Sequence, residues 1–203
     1  MTERILYQFP ISHYCEKSRW QLDHKGLAYR TRNLLPGPHR LRTQWMARIN
    51  TLPVLRDGQR VVGDSTKIAY YLEKHYPERS LIPTDAESRA RVIELEQQLD
   101  RVAVHVRRWL YGQIIDRPEV MDAMLDPYRL PSPVQKVLAP VTREGVRRLY
   151  RIEPKAVAHS GQRLEEGLDL VEQTLRRGNG RYLVGEQLTL ADITAAGLLA
   201  PLV

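Results

Sequence analysis

The sequence predicts an α/β sheet followed by helices alone, and two patterns carry this prediction. Over residues 4–76, short apolar runs typical of strands alternate with longer stretches that have the apolar spacing of helices. Such alternation is typical of a sheet with helices packed on it. After Pro77 the strand patterns stop, and apolar residues recur at every third or fourth position, which indicates helices.

Within the first part, local residues mark where the elements end. Gly26 stands where a left-handed residue would end the first helix. Asp57 and Gly58, followed by Gln59, separate two apolar runs and predict a two-residue hairpin turn. The predicted elements are a strand at 4–9, a helix at 14–25, a strand at 28–34, a short arginine-rich helical or irregular segment at 38–49, a hairpin at 54–62 and a helix at 65–75.

Residues 77–85 contain two prolines and no apolar period, so we expect a linker there. Beyond it, two long helices are predicted, joined by a proline-rich stretch that holds short helices. The apolar positions that predict the first long helix are Val92, Leu95, Leu99, Val102, Val106 and Leu110, and those that predict the second are Val157, Leu164, Leu168, Val171 and Leu175.

The last predicted helix, at 193–202, follows a clear start signal. Thr189 and Asp192 have the spacing of a capping box, and Leu188 and Ile193 have that of a hydrophobic staple. The helix is apolar on nearly every side, so we expect it to be buried.

Composition narrows the function classes. The 203 residues are 42% hydrophobic and 27% charged, as in ordinary soluble globular proteins. No apolar run approaches the ~18 residues that would cross a bilayer, and the first residues lack the apolar segment of a secretory signal.

The single cysteine, Cys15, excludes an internal disulfide and fits a reducing cytoplasm. The arginines behind the net charge of +7 are scattered, so we expect a basic surface and no nucleic-acid site.

Residues 5–19 carry the most chemical information. An apolar strand leads into a short turn, and Ser12 stands where the first helix begins. The N–H groups and the positive dipole end of a helix favour negative charge, and the same field lowers the pKa of a thiol. The sequence therefore predicts a place to hold a thiolate at Ser12.

Two further motifs follow, Thr-Leu-Pro-Val-Leu at 51–55 and Asp64-Ser65 before the third helix. Together with the Ser12 region, they resemble the N-terminal domain of glutathione S-transferases. The resemblance implies a thioredoxin-like α/β domain at 1–76, a linker at 77–85 and an all-α C-terminal domain at 86–203, the architecture of cytosolic glutathione transferases. The family buries the last predicted helix beneath later helices, and this sequence ends at Val203. We therefore expect either that the sequence stops short of the native terminus or that the C-terminal domain is abbreviated.

The resemblance assigns the chemistry to Ser12. Aligned on Arg19, Ser12 lies where serine-type members carry a hydroxyl that donates a hydrogen bond to the glutathione sulfur and favours the thiolate. Tyrosine-type members use the end of the first strand, where this chain has Gln8. Taken alone, Ser12 has a second interpretation as a helix N-cap.

Cys15 is the less favoured catalytic residue. Ser-His-Tyr-Cys at 12–15 resembles the Cys-Pro-Tyr-Cys motif of glutaredoxins with the first cysteine replaced. That first cysteine is the exposed nucleophile of the family, so we expect Cys15 to behave as a buried apolar residue. Mixed-disulfide chemistry between Cys15 and glutathione is the alternative. His13 is expected in a loop, where it would add positive charge.

The resemblance also implies how glutathione is held. Pro53 should follow a cis peptide bond, with the backbone of Leu52 turned outward to pair with the cysteinyl part of glutathione. Ser65, as the N-cap of the third helix, should bind the γ-glutamyl carboxylate, with Asp64 near the α-amino group. The cations expected near the glycyl carboxylate are His39, Arg40 and Arg42.

The second substrate is expected between the two domains, against the first long helix. The candidates there, by position alone, are His105, Trp109 and Tyr111.

The implied function is conjugation of the glutathione thiolate to small electrophiles in the cytoplasm. The resemblance implies a homodimer that needs no metal, and we expect it to bind neither nucleic acid nor membranes. Two alternatives stay open. One is a binding or regulatory protein that keeps the fold without the chemistry, and the other is a glutathione-dependent thiol reductase or peroxidase that works through Cys15.

Overall fold

The computed structural model of the chain describes residues 3–178 and 180–202. Its first part contains four strands and three helices in the predicted order. The elements are β1 (Arg4–Gln8), α1 (His13–His24), β2 (Arg30–Asn33), α2 (His39–Ala47), β3 (Val54–Asp57), β4 (Arg60–Gly63) and α3 (Ser65–His75).

The four strands form one mixed sheet in the order β2-β1-β3-β4. β1 runs parallel to β2 and antiparallel to β3, and β3 and β4 form the antiparallel hairpin. α1 and α3 pack on one face of the sheet through Leu6, Leu22 and Ile68. α2 lies against the other face, where Ile5 and Tyr7 are buried. The predicted thioredoxin-like fold class is confirmed.

Two glycines mark the ends of elements in this part. Gly26 follows α1 with a φ of +65°, the left-handed cap that the sequence predicts. The hairpin turn lies one residue later than predicted, because Asp57 pairs with Arg60. The loop is therefore Gly58 and Gln59, and Gly58 takes the positive φ, +60°, that hairpin turns require.

In the second part, all the regular elements among the described residues are helices, and none of these helices combines the length and the apolar character needed to cross a membrane. Its elements are α4 (Ala86–Ile114), α5 (Pro118–Leu125), a 3₁₀ turn (Asp126–Tyr128), α6 (Ser132–Tyr150), α7 (Pro154–Arg177), α8 (Leu190–Leu199) and a 3₁₀ turn (Ala200–Leu202). Residues 77–85 fall between α3 and α4, and we propose them as the linker between two domains. Two side chains of this segment, Leu81 and Ile82, are buried in the helical core.

The long helix α4 buries Val92, Leu95 and Leu99 together with other predicted apolar positions, and α7 packs along it. On α7 the predicted burial of Leu168 is wrong, since this side chain is 43% exposed. The neighbouring Gly167 faces α4 instead, and a Cβ there would come within 2.6 Å of the Val102 side chain. The close approach of the two helices at Gly167 therefore turns Leu168 outward.

The capping box of the last helix is present. The Asp192 carboxylate accepts the backbone N–H of Thr189 at 2.8 Å and also that of Leu183 at 2.7 Å. Leu188 and Ile193 pack in the same apolar cluster, as a hydrophobic staple requires. α8 is buried along most of its length, and this prediction is confirmed.

Candidate functional site

Ser12 is the residue that precedes α1, close to the end of β1. Its backbone N–H donates to the Phe9 carbonyl at 3.1 Å, which closes the turn, and its carbonyl accepts the Glu16 N–H at 2.9 Å. The Ser12 hydroxyl makes no capping hydrogen bond with the first turn of α1. Ser12 therefore holds the N-cap position without the N-cap bond. Its side chain instead lies within hydrogen-bond reach of the buried Cys15 thiol, and a hydroxyl that accepts the thiol S–H can still donate its own O–H to another partner.

Cys15 lies in the first turn of α1 and has no exposed surface. It packs with Tyr7, Leu52 and other apolar residues. Burial raises the pKa of the Cys15 thiol, although a hydrogen bond with Ser12 acts in the opposite direction. Cys15 is thus the buried residue that the sequence predicts, and its thiol keeps its proton at neutral pH.

His13 is the first residue of α1 rather than a loop residue, and it is 3% exposed. Burial and then the charge of Arg107 lower the pKa of His13 to about 3. The imidazole is therefore neutral at neutral pH, and the expected positive charge is wrong. The Nε2 atom of His13 is buried and has no hydrogen-bond partner among the described residues.

Arg19 holds the loop that carries Ser12. Its guanidinium donates to the side chains of Gln8 and Glu16, and to the Pro10 carbonyl at 3.2 Å. Gln8 in turn donates to the Asn33 side chain at 3.1 Å. Gln8, at the end of β1, therefore positions the Arg19 guanidinium, which holds the loop before α1.

The Leu52–Pro53 peptide bond is cis, as predicted. The backbone N–H of Asp64 donates to the Pro53 carbonyl at 3.1 Å, so the segment before β3 lies beside the start of α3. Leu52 packs in the same cluster as Cys15. These contacts bring all three sequence motifs to one edge of the sheet.

Asp64, and not Ser65, is the N-cap of α3. Its Oδ1 atom accepts the backbone N–H groups of Thr66 and Lys67, both at 3.0 Å. Asp64 has a φ of +80°, a backbone conformation that residues other than glycine rarely adopt and that is concentrated at functional sites. Ser65 is the first residue of the helix and is 2% exposed. The predicted cap is therefore wrong, while Ser65 does lie at the positive end of α3.

A buried ion pair joins the two parts of the molecule beside this helix end. Lys17 on α1 has no exposed side-chain surface, and its Nζ lies 2.6 Å from Oε1 of Glu96 on α4. Its other partners are Thr66 Oγ1 at 3.2 Å and Asp100 Oδ1 at 3.4 Å. Burial raises the pKa of Asp100; Lys17 opposes the rise, and Glu96 and Asp64 add to it. In this cluster, the single cation of Lys17 thus faces the carboxylates of Glu96 and Asp100, with that of Asp64 nearby.

One face of α4 changes along its length from negative to positive. Glu96, Asp100 and Arg107 are four and seven residues apart, which places them on the same side of the helix. At the far end, the Arg107 guanidinium lies 5.1 Å from the ring centre of Tyr14 and 4.7 Å from that of Tyr150. The positive end of this face of α4 is therefore next to two tyrosine rings.

The cations expected at the glycyl carboxylate lie on α2. The His39 ring is 4.7 Å from that of Phe9, and the Arg42 guanidinium lies 5.4 Å from the ring centre of Tyr7. Arg40 is exposed. Burial lowers the pKa of His39, so the two arginines are the charged members of this group at neutral pH.

His105 and Trp109 face α7 rather than α1. His105 Nδ1 is 3.2 Å from a serine hydroxyl of α7, and Trp109 packs in a cluster with leucines of α7 and α8. The structure does not bring them to the side of α4 that carries Arg107, which corrects the placement expected from position alone. Tyr111 does lie on that side, with its ring 5.6 Å from that of Tyr150.

Sequence reasoning missed Lys17, Asp100 and Arg107. For α4 a signal was present, since charged residues recur with helical spacing beside the apolar stripe. For Lys17 no such signal exists, because its closest partner is 79 residues away in the chain.

Two surface cavities, of about 630 and 350 Å³, border His24, and neither is lined by Ser12, Leu52 or Ser65. Within the described ranges, no three His, Cys, Asp or Glu side chains form a group that could hold a metal ion. The candidate site is therefore defined by the motif residues and their contacts.

Comparison with known proteins agrees with these motifs. The model of the family described as glutathione S-transferase, N-terminal domain, matches residues 6–80, and that described as glutathione S-transferase, C-terminal domain, matches residues 154–203. Glutathione S-transferase 1 of Dianthus caryophyllus is 38% identical over 90 residues, which make up 42% of this chain and 40% of that protein. The chain thus matches less than half the length of this relative.

Solved structures show the same fold. A glutathione S-transferase from Rhodospirillum rubrum superposes with a TM-score of 0.70 at 24% identity, over 98% of this chain and 77% of that one. A glutathione S-transferase from Methylobacterium radiotolerans in complex with glutathione sulfonate gives 0.70 at 20% identity, over 99% and 79%. The beta-etherase LigF from Sphingobium gives 0.71 at 23% identity, over 97% and 82%. The fold, the three motifs and the two family models lead to one conclusion: the chain belongs to the glutathione S-transferase superfamily.

Proposed function

We propose that this protein is a glutathione transferase that conjugates the glutathione thiolate to small electrophiles. The observation that carries the proposal is the Ser12 hydroxyl, which lies at the positive end of α1 and makes no capping bond. A hydrogen bond from this hydroxyl to a sulfur favours the thiolate over the thiol, and the helix end acts in the same direction.

The proposed glutathione lies along the edge where the three motifs meet. Its cysteinyl backbone pairs with Leu52, and its γ-glutamyl carboxylate lies at Ser65. Its α-amino group lies near Asp64 and Asp100, where carboxylates are in excess. An ammonium ion there would offset the cost of keeping the Asp100 carboxylate ionised in a partly buried place. The glycyl carboxylate lies toward the cations of α2, of which Arg42 is one.

The proposed reaction needs few protein groups. The glutathione thiol loses its proton to solvent, and the thiolate attacks an electrophilic carbon. A carbon–sulfur bond forms while the leaving group departs with its electron pair. The buried Cys15, whose raised thiol pKa keeps it protonated, gives no support to the disulfide route.

The test is a pH titration of the ultraviolet absorbance of the thiolate in bound glutathione. We expect the bound thiol to have a pKa at least about one unit below the ordinary value of about 8.5 for a thiol. Free glutathione in the same buffers is the control. Binding with no fall in the pKa would indicate a binding protein without the chemistry.

We also propose that the protein is a cytoplasmic homodimer, on family membership alone. Sedimentation at micromolar concentration is expected to give about twice the 23.5 kDa mass of the chain, as in the two-fold dimers that are the commonest oligomers. A monomer under these conditions would contradict the proposal. That the protein needs no metal and binds neither nucleic acid nor membranes stays a prediction.

A further inference from the structure

Arg107 is a charged side chain that has no counterion in the described part of the chain. Its Nε atom is buried and has no hydrogen-bond partner there. None of the ion pairs within residues 3–178 and 180–202 includes this arginine. Partial burial removes some of the water around a guanidinium. It is unfavourable when no protein acceptor takes the place of that water. The arrangement therefore favours an anion supplied from outside the chain.

The surroundings of Arg107 are aromatic. The guanidinium lies over the rings of Tyr14 and Tyr150, at 5.1 and 4.7 Å from their centres. Rings against the faces of a guanidinium leave its edge, which carries the N–H donors, as the part that can bind an anion. Tyr111 extends the wall, since its ring is 5.6 Å from that of Tyr150.

A second buried polar atom lies in the same place. His13 is 3% exposed, and its Nε2 has no hydrogen-bond partner in the described part of the chain. Its ring is 4.6 Å from that of Tyr14, and the charge of Arg107 acts on it. A neutral imidazole carries one N–H, which can donate to an anion when it is on the nitrogen that faces it. Two independent buried polar atoms, Arg107 Nε and His13 Nε2, thus lack a hydrogen-bond partner within the described residues at one location.

This location adjoins Ser12. The Arg107 guanidinium lies 5.1 Å from the ring centre of Tyr14, which belongs to the first turn of α1, and Ser12 is the residue before that turn. A ligand held by Arg107 therefore lies close to the sulfur that Ser12 is proposed to activate.

We propose that Arg107, with His13 beside it, binds the carboxylate of an aromatic electrophile. The aromatic ring of the electrophile lies along the wall formed by Tyr150 and Tyr111, and its reactive carbon points toward Ser12. The reaction rests on the proposed function, whereas the binding rests on the contacts above. The site thereby selects aromatic acids as the substrate class.

The probe pair is 4-chloro-3-nitrobenzoate and its methyl ester, which differ in charge and share the reacting carbon. Glutathione sulfur attacks the carbon that bears chlorine, the carbon–sulfur bond forms, and chloride leaves with the bonding electrons. The thiol proton goes to solvent, so the step balances without a further reactant.

An ester withdraws electrons more strongly than a carboxylate, so each kcat/KM is divided by the rate constant of the same probe with free glutathione. We expect this normalised value to be at least about tenfold higher for the carboxylate than for the ester in the wild-type protein, since a hydrogen bond between charged groups is worth about that factor. Arg107→Gln should abolish this preference, with little change for the ester, and Arg107→Lys should keep part of it. Arg101→Gln, an exposed arginine of the same helix, is the matched control and should leave the preference intact. Equal losses for both probes, together with a raised pKa of the bound glutathione thiol, would overturn the proposal and assign Arg107 to the thiolate instead.

A binding measurement separates this inference from the proposed function. Calorimetry without glutathione compares 3-nitrobenzoate with methyl 3-nitrobenzoate, neither of which carries the leaving group. Tighter binding of the acid that is lost in Arg107→Gln and kept in Arg101→Gln supports the carboxylate site even if no conjugation is found. If the ester is conjugated, but neither acid is preferred over its own methyl ester, the inference is overturned and the proposed function still holds. Far-ultraviolet circular dichroism and Arg107→Lys show whether a loss comes from misfolding.

Discussion

The Glu96→Gln substitution is expected to lower the free energy of unfolding by about 3–5 kcal/mol, because it leaves the buried Lys17 charge without its nearest counterion. The Lys17 and Glu96 side chains are 0% and 1% exposed, and their charged atoms are 2.6 Å apart. Asp100 lies farther from Lys17, at 3.4 Å, and its side chain is 38% exposed, so it replaces only part of the lost interaction. The measurement is urea unfolding followed by circular dichroism.

An exposed ion pair on the same helix is the control. Arg91 and Glu94 are 2.8 Å apart and 40% and 54% exposed, so Glu94→Gln should change the free energy of unfolding by less than about 1 kcal/mol. The double variant Lys17→Met with Glu96→Leu should recover much of the loss, because it removes both buried charges together. A double variant as unstable as Glu96→Gln would show that the unpaired charge is not the source of the effect.

The Ser12→Ala substitution is expected to slow conjugation by about tenfold at neutral pH. A hydrogen bond to a charged group contributes about 1.5–3 kcal/mol, and one pKa unit corresponds to about 1.4 kcal/mol. Loss of the hydroxyl should therefore raise the pKa of the bound glutathione thiol by roughly one to two units. Glutathione affinity should change little, because Leu52, Asp64 and Ser65 are proposed to hold the rest of the tripeptide. The measurements are the thiolate absorbance titration, the conjugation rate and the dissociation constant of glutathione.

Cys15→Ala is the matched comparison in the same helix. Its side chain is fully buried, so the substitution leaves a small cavity and should cost about 1 kcal/mol of stability, while conjugation stays close to that of the wild type. If Ser12→Ala is active and Cys15→Ala is inactive although folded, the chemistry belongs to Cys15, and the thiol reductase or peroxidase alternative is correct.

The features that were predicted well depend on neighbours close in sequence. The strand and helix order of residues 4–76, the left-handed Gly26 after α1 and the capping box of Thr189 and Asp192 all follow from residues a few positions apart. Capping needs only one side chain and the nearest backbone N–H groups, so the sequence contains the whole interaction. The cis bond before Pro53 was anticipated from the resemblance of its motif to the family.

The features that were predicted poorly depend on how separate elements pack. The predicted cap of α3 is Ser65, whereas the structure has Asp64 as the cap, with a positive φ and with its backbone N–H bonded to the Pro53 carbonyl. Leu168 matches the apolar period of α7, but Gly167 allows α4 to approach and turns Leu168 to the outside.

The sequence by itself determined the fold class, the family and the three motifs that meet at one edge of the sheet. Only the tertiary structure decided what surrounds them: His105 and Trp109 face α7, Lys17 is buried against Glu96, and the Arg107 guanidinium lies beside the start of α1. The physical reason is that helical periodicity shows which residues share a face but not which element covers that face. The partner of a buried charge lies wherever the chain brings an opposite charge within a few ångströms, whatever their separation in sequence.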